Sequence, residues 1–227
     1  MKYAPLIACS LLGLTACASP DATTEPATSP AMADVNIAPT APMTGNPWSA
    51  DFDPPTTHTT NRVRFEPLAP KYADIDFEAA MGSREHLQRT LQWGSWPRAD
   101  FTVEENAKDL ERHLTEFENR EAYAYTVLTP DRSRCVGCIY LNPADPNAPR
   151  TAMLAYWVVE DELVSDLDRH VLDEFFAWVE RDWPLDGVML PLHNNNVRGA
   201  NVVRDIGLIE APMDMEDHQP FMWMRGR

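Results

Sequence analysis

The chain has 227 residues, 44% of them hydrophobic, enough for one domain with a real core plus an extension. It carries 35 acidic against 19 basic residues, a formal charge of −16 at pH 7. Such a balance repels phosphate backbones and excludes nucleic acid as a partner class.

The chain opens with Met1-Lys2, a short basic start, then an apolar segment over 6–16 that is too short to span a bilayer. That segment ends Leu14-Thr15-Ala16-Cys17. The tetrapeptide resembles the lipobox of bacterial lipoproteins: a branched residue, two small ones, then a cysteine. The resemblance implies a signal peptide over 1–16, cleavage before Cys17 and lipidation of the Cys17 thiol and amine. Several acyl chains on one residue anchor stably, so the implied location is the bacterial cell envelope, with the membrane as partner. Ala18-Ser19, with no aspartate after the cysteine, points to the outer membrane and periplasm in a cell that has them. An ordinary secretory signal cleaved near Ala18 is the alternative. Residues 17–60 are rich in Pro, Thr, Ala and Ser, contain no Lys or Arg, and show no period. Such a segment buries too little apolar surface to offset its ordering entropy and reads as a disordered tether. Trp48 and Phe52 are its residues suited to docking on a folded domain. Five of the 35 acidic residues and one of the 19 basic ones precede residue 61, which leaves −12 for the remainder.

The folded domain is placed at 61–227. A strand is expected over 62–68, ended by Pro67 and Pro70. Residues 72–91 are helical with Gly82-Ser83 in the middle, which predicts two short helices. A loop over 93–100 carries Trp93 and Trp96. Thr102 and Glu105 form a capping box. Val103, Ala107, Leu110, Leu114 and Phe117 then step by four, three, four and three, the face of a helix ending near Asn119. Residues 122–128 and 134–141 are strands joined by the hairpin loop 129–133. After a Pro-rich loop, 151–159 (TAMLAYWVV) is a nearly unbroken apolar run, as in a strand covered on both faces. Leu163, Val164, Leu167, Val171, Leu172, Phe175, Phe176 and Val179 trace a helix face, with Ser165 and Asp168 as its capping box and Trp183-Pro184 as its stop. A short strand over 188–192 leads through His193-Asn194-Asn195-Asn196 into another short helix, closed by Gly207 as C-cap. Residues 220–224 suit a last strand. The order predicts an α/β fold (α+β mixed sheet), a central mixed sheet of about seven strands flanked by helices.

This order resembles the GNAT acyltransferase superfamily over about 62–227. Asn196 lies eleven residues before Gly207-Leu208, and Tyr156-Trp157-Val158 closes the long apolar strand, as in that family. The resemblance implies transfer of an acyl group from acetyl-CoA to a primary amine, in a cleft where the strands 151–159 and 188–192 splay apart. It places the cofactor pyrophosphate on backbone N–H groups at the start of the next helix, where orphan donors and the helix dipole favour an anion. The cofactor-binding residues it implies are Val158, Val159, Val164, Ser165 and Asn196. The catalytic base falls on Glu160 or His193, each at a strand end, with a solvated carboxylate and a turn or capping group as their plainer roles. Asn196 equally suits a helix cap. The family's phosphate loop contains glycines that let the backbone approach the phosphates. Here Glu160-Asp161-Glu162-Leu163-Val164-Ser165-Asp166 has none and carries four carboxylates. The tyrosine that protonates the leaving thiolate in the family falls on Val203. The expectation is a degenerate acetyl-CoA site. Its alternative to an amine acyltransferase is a non-catalytic GNAT-fold protein that binds a partner at the envelope.

Two cysteines remain in the domain, Cys135-Val136-Gly137-Cys138. A CxxC suggests thiol redox chemistry, but thiol oxidoreductases carry it at a helix start, and this one lies within a strand. In a regular strand residues three apart face opposite ways, roughly 10 Å apart at about 3.3 Å per residue, beyond the ~7 Å a disulfide spans. A bulge at Gly137 would close that gap. The pair therefore reads as two unpaired core thiols. No metal is expected, because no second CxxC or clustered histidine pair supplies further ligands.

Overall fold

The computed structural model describes residues 51–144 and 150–226. The expected signal peptide, Cys17, Trp48 and the tether up to residue 50 lie outside the described residues. In chain order the elements are β1 (His58–Thr59), β2 (Arg64–Pro67), α1 (Ala73–Gly82), α2 (Arg84–Leu91), α3 (Val103–Glu118), β3 (Tyr123–Leu128), β4 (Cys135–Pro143), β5 (Thr151–Val158), α4 (Leu167–Asp182), β6 (Gly187–His193), α5 (Val197–Asp205), β7 (Ile209–Glu210) and β8 (His218–Met224). The strands form one sheet in the order β1-β2-β3-β4-β5-β6-β8-β7. Among the described strands only β5 and β6 run parallel; the other junctions are antiparallel. This is the mixed sheet flanked by helices that the pattern predicts, with eight strands in place of seven. The short strands β1 and β7 hold two residues each, too few to show a period in sequence.

Helices cover both faces of the sheet. Neighbouring residues of a strand face opposite ways, and on β3 these are Tyr125 and Thr126. Tyr125 stacks edge-on against Trp178 of α4, whereas Thr126 donates to Cys135 in the layer beneath α1. Trp178 also meets Phe65 and Trp183, and these rings are buried. The segment before β2 joins this aromatic core. Phe52 packs on Trp183 and Tyr123, Pro55 O accepts from Tyr125 Oη at 2.8 Å, and His58 stacks on Trp178.

Local signals place the helix ends. The Thr102–Glu105 capping box is formed in both directions. Gly207, at φ +93, takes the left-handed conformation that closes α5. The other expected capping box is absent. Residues 160–165 form a 3-10 turn, Asp166 adopts φ 54, and α4 starts at Leu167 with no side-chain cap. Ser165 Oγ donates to Glu162 O instead, and Asp168 is drawn to Arg198 on α5. A tertiary ion pair thus overrides the local capping preference.

Glu66 fastens the first long strand. Tyr72 Oη and Arg64 Nε donate to its buried carboxylate, and Arg132 lies 2.8 Å from it. Burial raises this carboxyl, but the two donors and the Arg132 charge outweigh it and hold Glu66 down at about 2. An unfolded glutamate titrates near ~4.3. Because the folded value is depressed, the stabilisation is complete above the unfolded value and is lost as pH falls through the folded one, a contribution of roughly 3 kcal/mol at neutral pH. Glu66→Gln should therefore destabilise the protein in urea unfolding by roughly 3 kcal/mol at pH 7 and by about half of that at pH 3. An equal penalty at both pH values would show that the charge is not the source.

Candidate functional site

Strands β5 and β6 pair only at Thr151–Gly187, Ala152–Val188 and Met153–Met189. Beyond that, β5 continues along β4 to Val158, and β6 continues along β8 to His193. The strands part, and their facing edges carry backbone donors and acceptors with no strand opposite. Two cavities of about 30 Å³ each lie along this opening, room for about one water molecule apiece. One is bordered by Tyr156, His193, Asn196 and His218, the other by His86, Tyr156, Val158, Asp168 and Arg198.

Of the residues singled out in sequence, the cleft gathers Val158, His193 and Asn196. Asn196 caps α5 by accepting from Gly199 N at 2.9 Å. His193 Nδ1 is 3.1 Å from Asn195 N, and its ring meets His218 edge-on with centroids 5.3 Å apart. Val159, Val164 and Ser165 lie elsewhere, and Glu160 stands at the rim with its carboxylate 3.9 Å from His86 Nδ1. Glu160 is half exposed, pairs with Arg89 at 3.4 Å, and donates its backbone N–H to Ser83. Val159 is buried and hydrogen-bonds Val136 O from its N–H. Val164 is 91% exposed on the 3-10 turn. Ser165 receives a hydrogen bond from Arg62.

The four carboxylates over 160–166 all have cationic partners. Asp161 and Glu162 bind Arg134 at 2.6 and 2.9 Å. Arg198 binds Asp168 through two nitrogens at 2.7 and 2.8 Å and Asp166 at 2.8 Å. The Asp168 hydrogen bonds, with those of Asp166, push the Arg198 guanidinium further up against burial. Arg198 thus spans from the first turn of α5 to the start of α4, and the chain's own carboxylates sit where an incoming anion would meet the α4 N-terminus.

Four residues of the cleft escape sequence reasoning: His86, Asp168, Arg198 and His218. Burial lowers the His86 imidazole on α2, with Glu160 opposing. An arginine in the first turn of a helix opposes the dipole, and that misfit was the available signal for Arg198. His218 reaches the cleft through β6–β8 pairing, which no local pattern reveals.

With this geometry in view, comparison with known proteins decides the family. The sequence model of the acetyltransferase (GNAT) domain matches residues 62–209. The chain belongs to this family. No curated protein matches it. Among solved structures, the GNAT domain is similar to a ribosomal-protein-S5-alanine acetyltransferase from Vibrio fischeri, with a TM-score of 0.64 at 13% identity over 76% of this chain and 98% of that one. It is also similar to RimL, a ribosomal L7/L12 α-N-protein acetyltransferase in complex with coenzyme A, at 0.62 and 13% over 75% and 97%. A third is the microcin C7 self-immunity acetyltransferase MccE in complex with acetyl-CoA and AMP, at 0.60 and 11% over 73% and 93%. At such identities the likeness establishes the fold.

Asp168 is buried and Arg198 partly exposed, so removing either partner should cost about 2 kcal/mol, between the values for exposed and buried pairs. In urea unfolding, Arg198→Met combined with Asp168→Asn should cost clearly less than the sum of the single changes. Strictly additive costs would show that the two do not couple.

Proposed function

We propose that this GNAT domain is an N-acyltransferase of weak acyl-CoA affinity that acts on a primary amine, its phosphate seat filled by its own carboxylates. The observation that carries the reading is the Arg198 bridge to Asp166 and Asp168. The cleft fits acetyl-CoA in one part and not in another. The parted edges of β5 and β6 suit an extended, amide-bearing chain, and His86, His193 and His218 are imidazoles beside it able to take an ammonium proton. The start of α4 does not fit a pyrophosphate: it has no glycine, and a phosphate must displace carboxylates from Arg198 before it can bind there. Each displaced charge-assisted hydrogen bond opposes binding by about 1–3 kcal/mol.

A second reading, a non-catalytic binding domain, is favoured by two observations. Val203, where the family resemblance places the acid, is fully buried, and the cleft cavities are small. Calorimetry on the full chain should give a dissociation constant for acetyl-CoA no tighter than about millimolar. Asp166→Asn with Glu162→Gln should tighten it by about tenfold. Micromolar binding by the unaltered chain would overturn the weak-site reading. Product formation on an amine at saturating acetyl-CoA separates the enzyme from the binding domain.

We further propose, from Leu14-Thr15-Ala16-Cys17, that the mature chain begins at a lipidated Cys17 and is held at the cell envelope. Intact mass of the membrane fraction should give a diacylated or triacylated chain starting at Cys17. A mature protein that retains Met1, or a Cys17→Ser chain that stays with the membrane, would sink the idea.

A further inference from the structure

The CxxC pair does not adopt the regular strand geometry expected of it. Pairing between β3 and β4 runs Thr126–Cys138 and Val127–Gly137, then Leu128–Cys135. Val136 is therefore the extra residue of a bulge, and Cys135 and Cys138 reach the same face. Both thiols meet one carboxylate delivered by α1. Cys138 Sγ is 3.1 Å and Cys135 Sγ 3.7 Å from Asp76 Oδ1. The three ligand atoms lie within 4.8 Å of one another, and all three residues are buried.

We propose that Asp76, Cys135 and Cys138 form a binding site for a thiophilic d10 cation, with zinc(II) as its probe. Around tetrahedral zinc, with Zn–S near 2.3 Å and Zn–O near 2.1 Å, neighbouring ligand atoms stand about 3.6 Å apart. The observed separations from Asp76 need only small adjustments to match. The carboxylate is oriented from behind, as metal-ligating groups are. Its second oxygen, Oδ2, accepts from Asn106 Nδ2 at 3.0 Å, and Asn106 also donates to Ala73 O at 3.0 Å.

Without an ion the cluster is costly. Burial raises the Asp76 carboxyl, and burial raises the Cys138 thiol, so the buried groups resist ionisation until a cation compensates them. Binding releases the two thiol protons, and also the carboxyl proton where Asp76 is protonated. Two thiolates and a carboxylate then sum to −1 with a divalent ion rather than −3. A cavity of about 530 Å³ has Cys135 in its wall, with Glu78, Arg134, Glu160 and Asp161 around it. A water molecule entering along that wall completes the four-ligand set.

The test uses the full chain with Cys9→Ser and Cys17→Ser, so that the pair holds its only thiols. After loading with zinc and competition with a chromophoric chelator, one zinc per chain should remain. Cys138→Ala or Asp76→Asn should weaken binding at least 100-fold, and Asn106→Ala about tenfold. Cobalt(II) in the parent chain should give a thiolate-to-metal charge-transfer band, a readout that stands even where a variant fails to fold. Zinc binding no stronger than in the Cys135→Ala/Cys138→Ala chain would overturn the proposal. So would a cobalt spectrum without that band, or a native protein in which the two thiols count as a disulfide.

Discussion

Strand β6 is held by β8 at seven positions and by β5 at only three. That asymmetry is the constraint on which the cleft depends. A strand cannot leave its neighbour unless its backbone groups are satisfied elsewhere. The antiparallel partner on the far side satisfies half of those of β6, and β4 does the same for β5. The gap between them therefore opens with both strands still anchored. The elements leaving those strand ends, the 3-10 turn before α4 and the Asn196 cap of α5, are set at its rim by the same divergence.

What stands at that rim is an ion-pair network rather than bare negative charge. A net charge of −16 suggests repulsion toward any anion, yet every carboxylate near the start of α4 has an arginine within 3.4 Å. Competition, not long-range repulsion, is then what an incoming phosphate would face. The distinction has a salt dependence: repulsion between exposed charges is screened within about 10 Å at 0.1 M salt, whereas the pair containing buried Asp168 is screened far less.

Long amphipathic and apolar segments were legible in the sequence. The α3 stripe and its capping box, the two helices divided at Gly82, the apolar run of β5 and the C-cap at Gly207 all depend on residues within a few positions of one another. The parts that escaped depend on partners far along the chain. Ser165 and Asp168 have capping-box spacing, but Arg198, 30 residues away, claims Asp168. Cys135 and Cys138 look like opposite-facing strand residues, but Asp76, about 60 residues earlier, lies against both thiols. His218 enters the cleft by strand pairing alone. Of the resemblance-based site residues, Val158, His193 and Asn196 line the cleft because they sit at strand ends or a cap. Val164 does not, because the 3-10 turn rotates it into solvent.

The bulge in β4 joins the two irregular regions of the sheet. Gly137 follows it, and a Cβ there would sit 2.2 Å from Trp157 O, so only glycine permits β4 to approach β5 this closely. Val136, the residue pushed out of the β3 pairing, still offers its carbonyl, and Val159 N–H binds it at 3.0 Å. That bond forms where β5 ends, one residue before the 3-10 turn begins. The same displaced residue thus turns both thiols toward Asp76 and fixes the origin of the turn that leads to α4. A backbone rearrangement at the bulge would move the Val136 carbonyl, and with it the backbone from which the rim of the cleft departs.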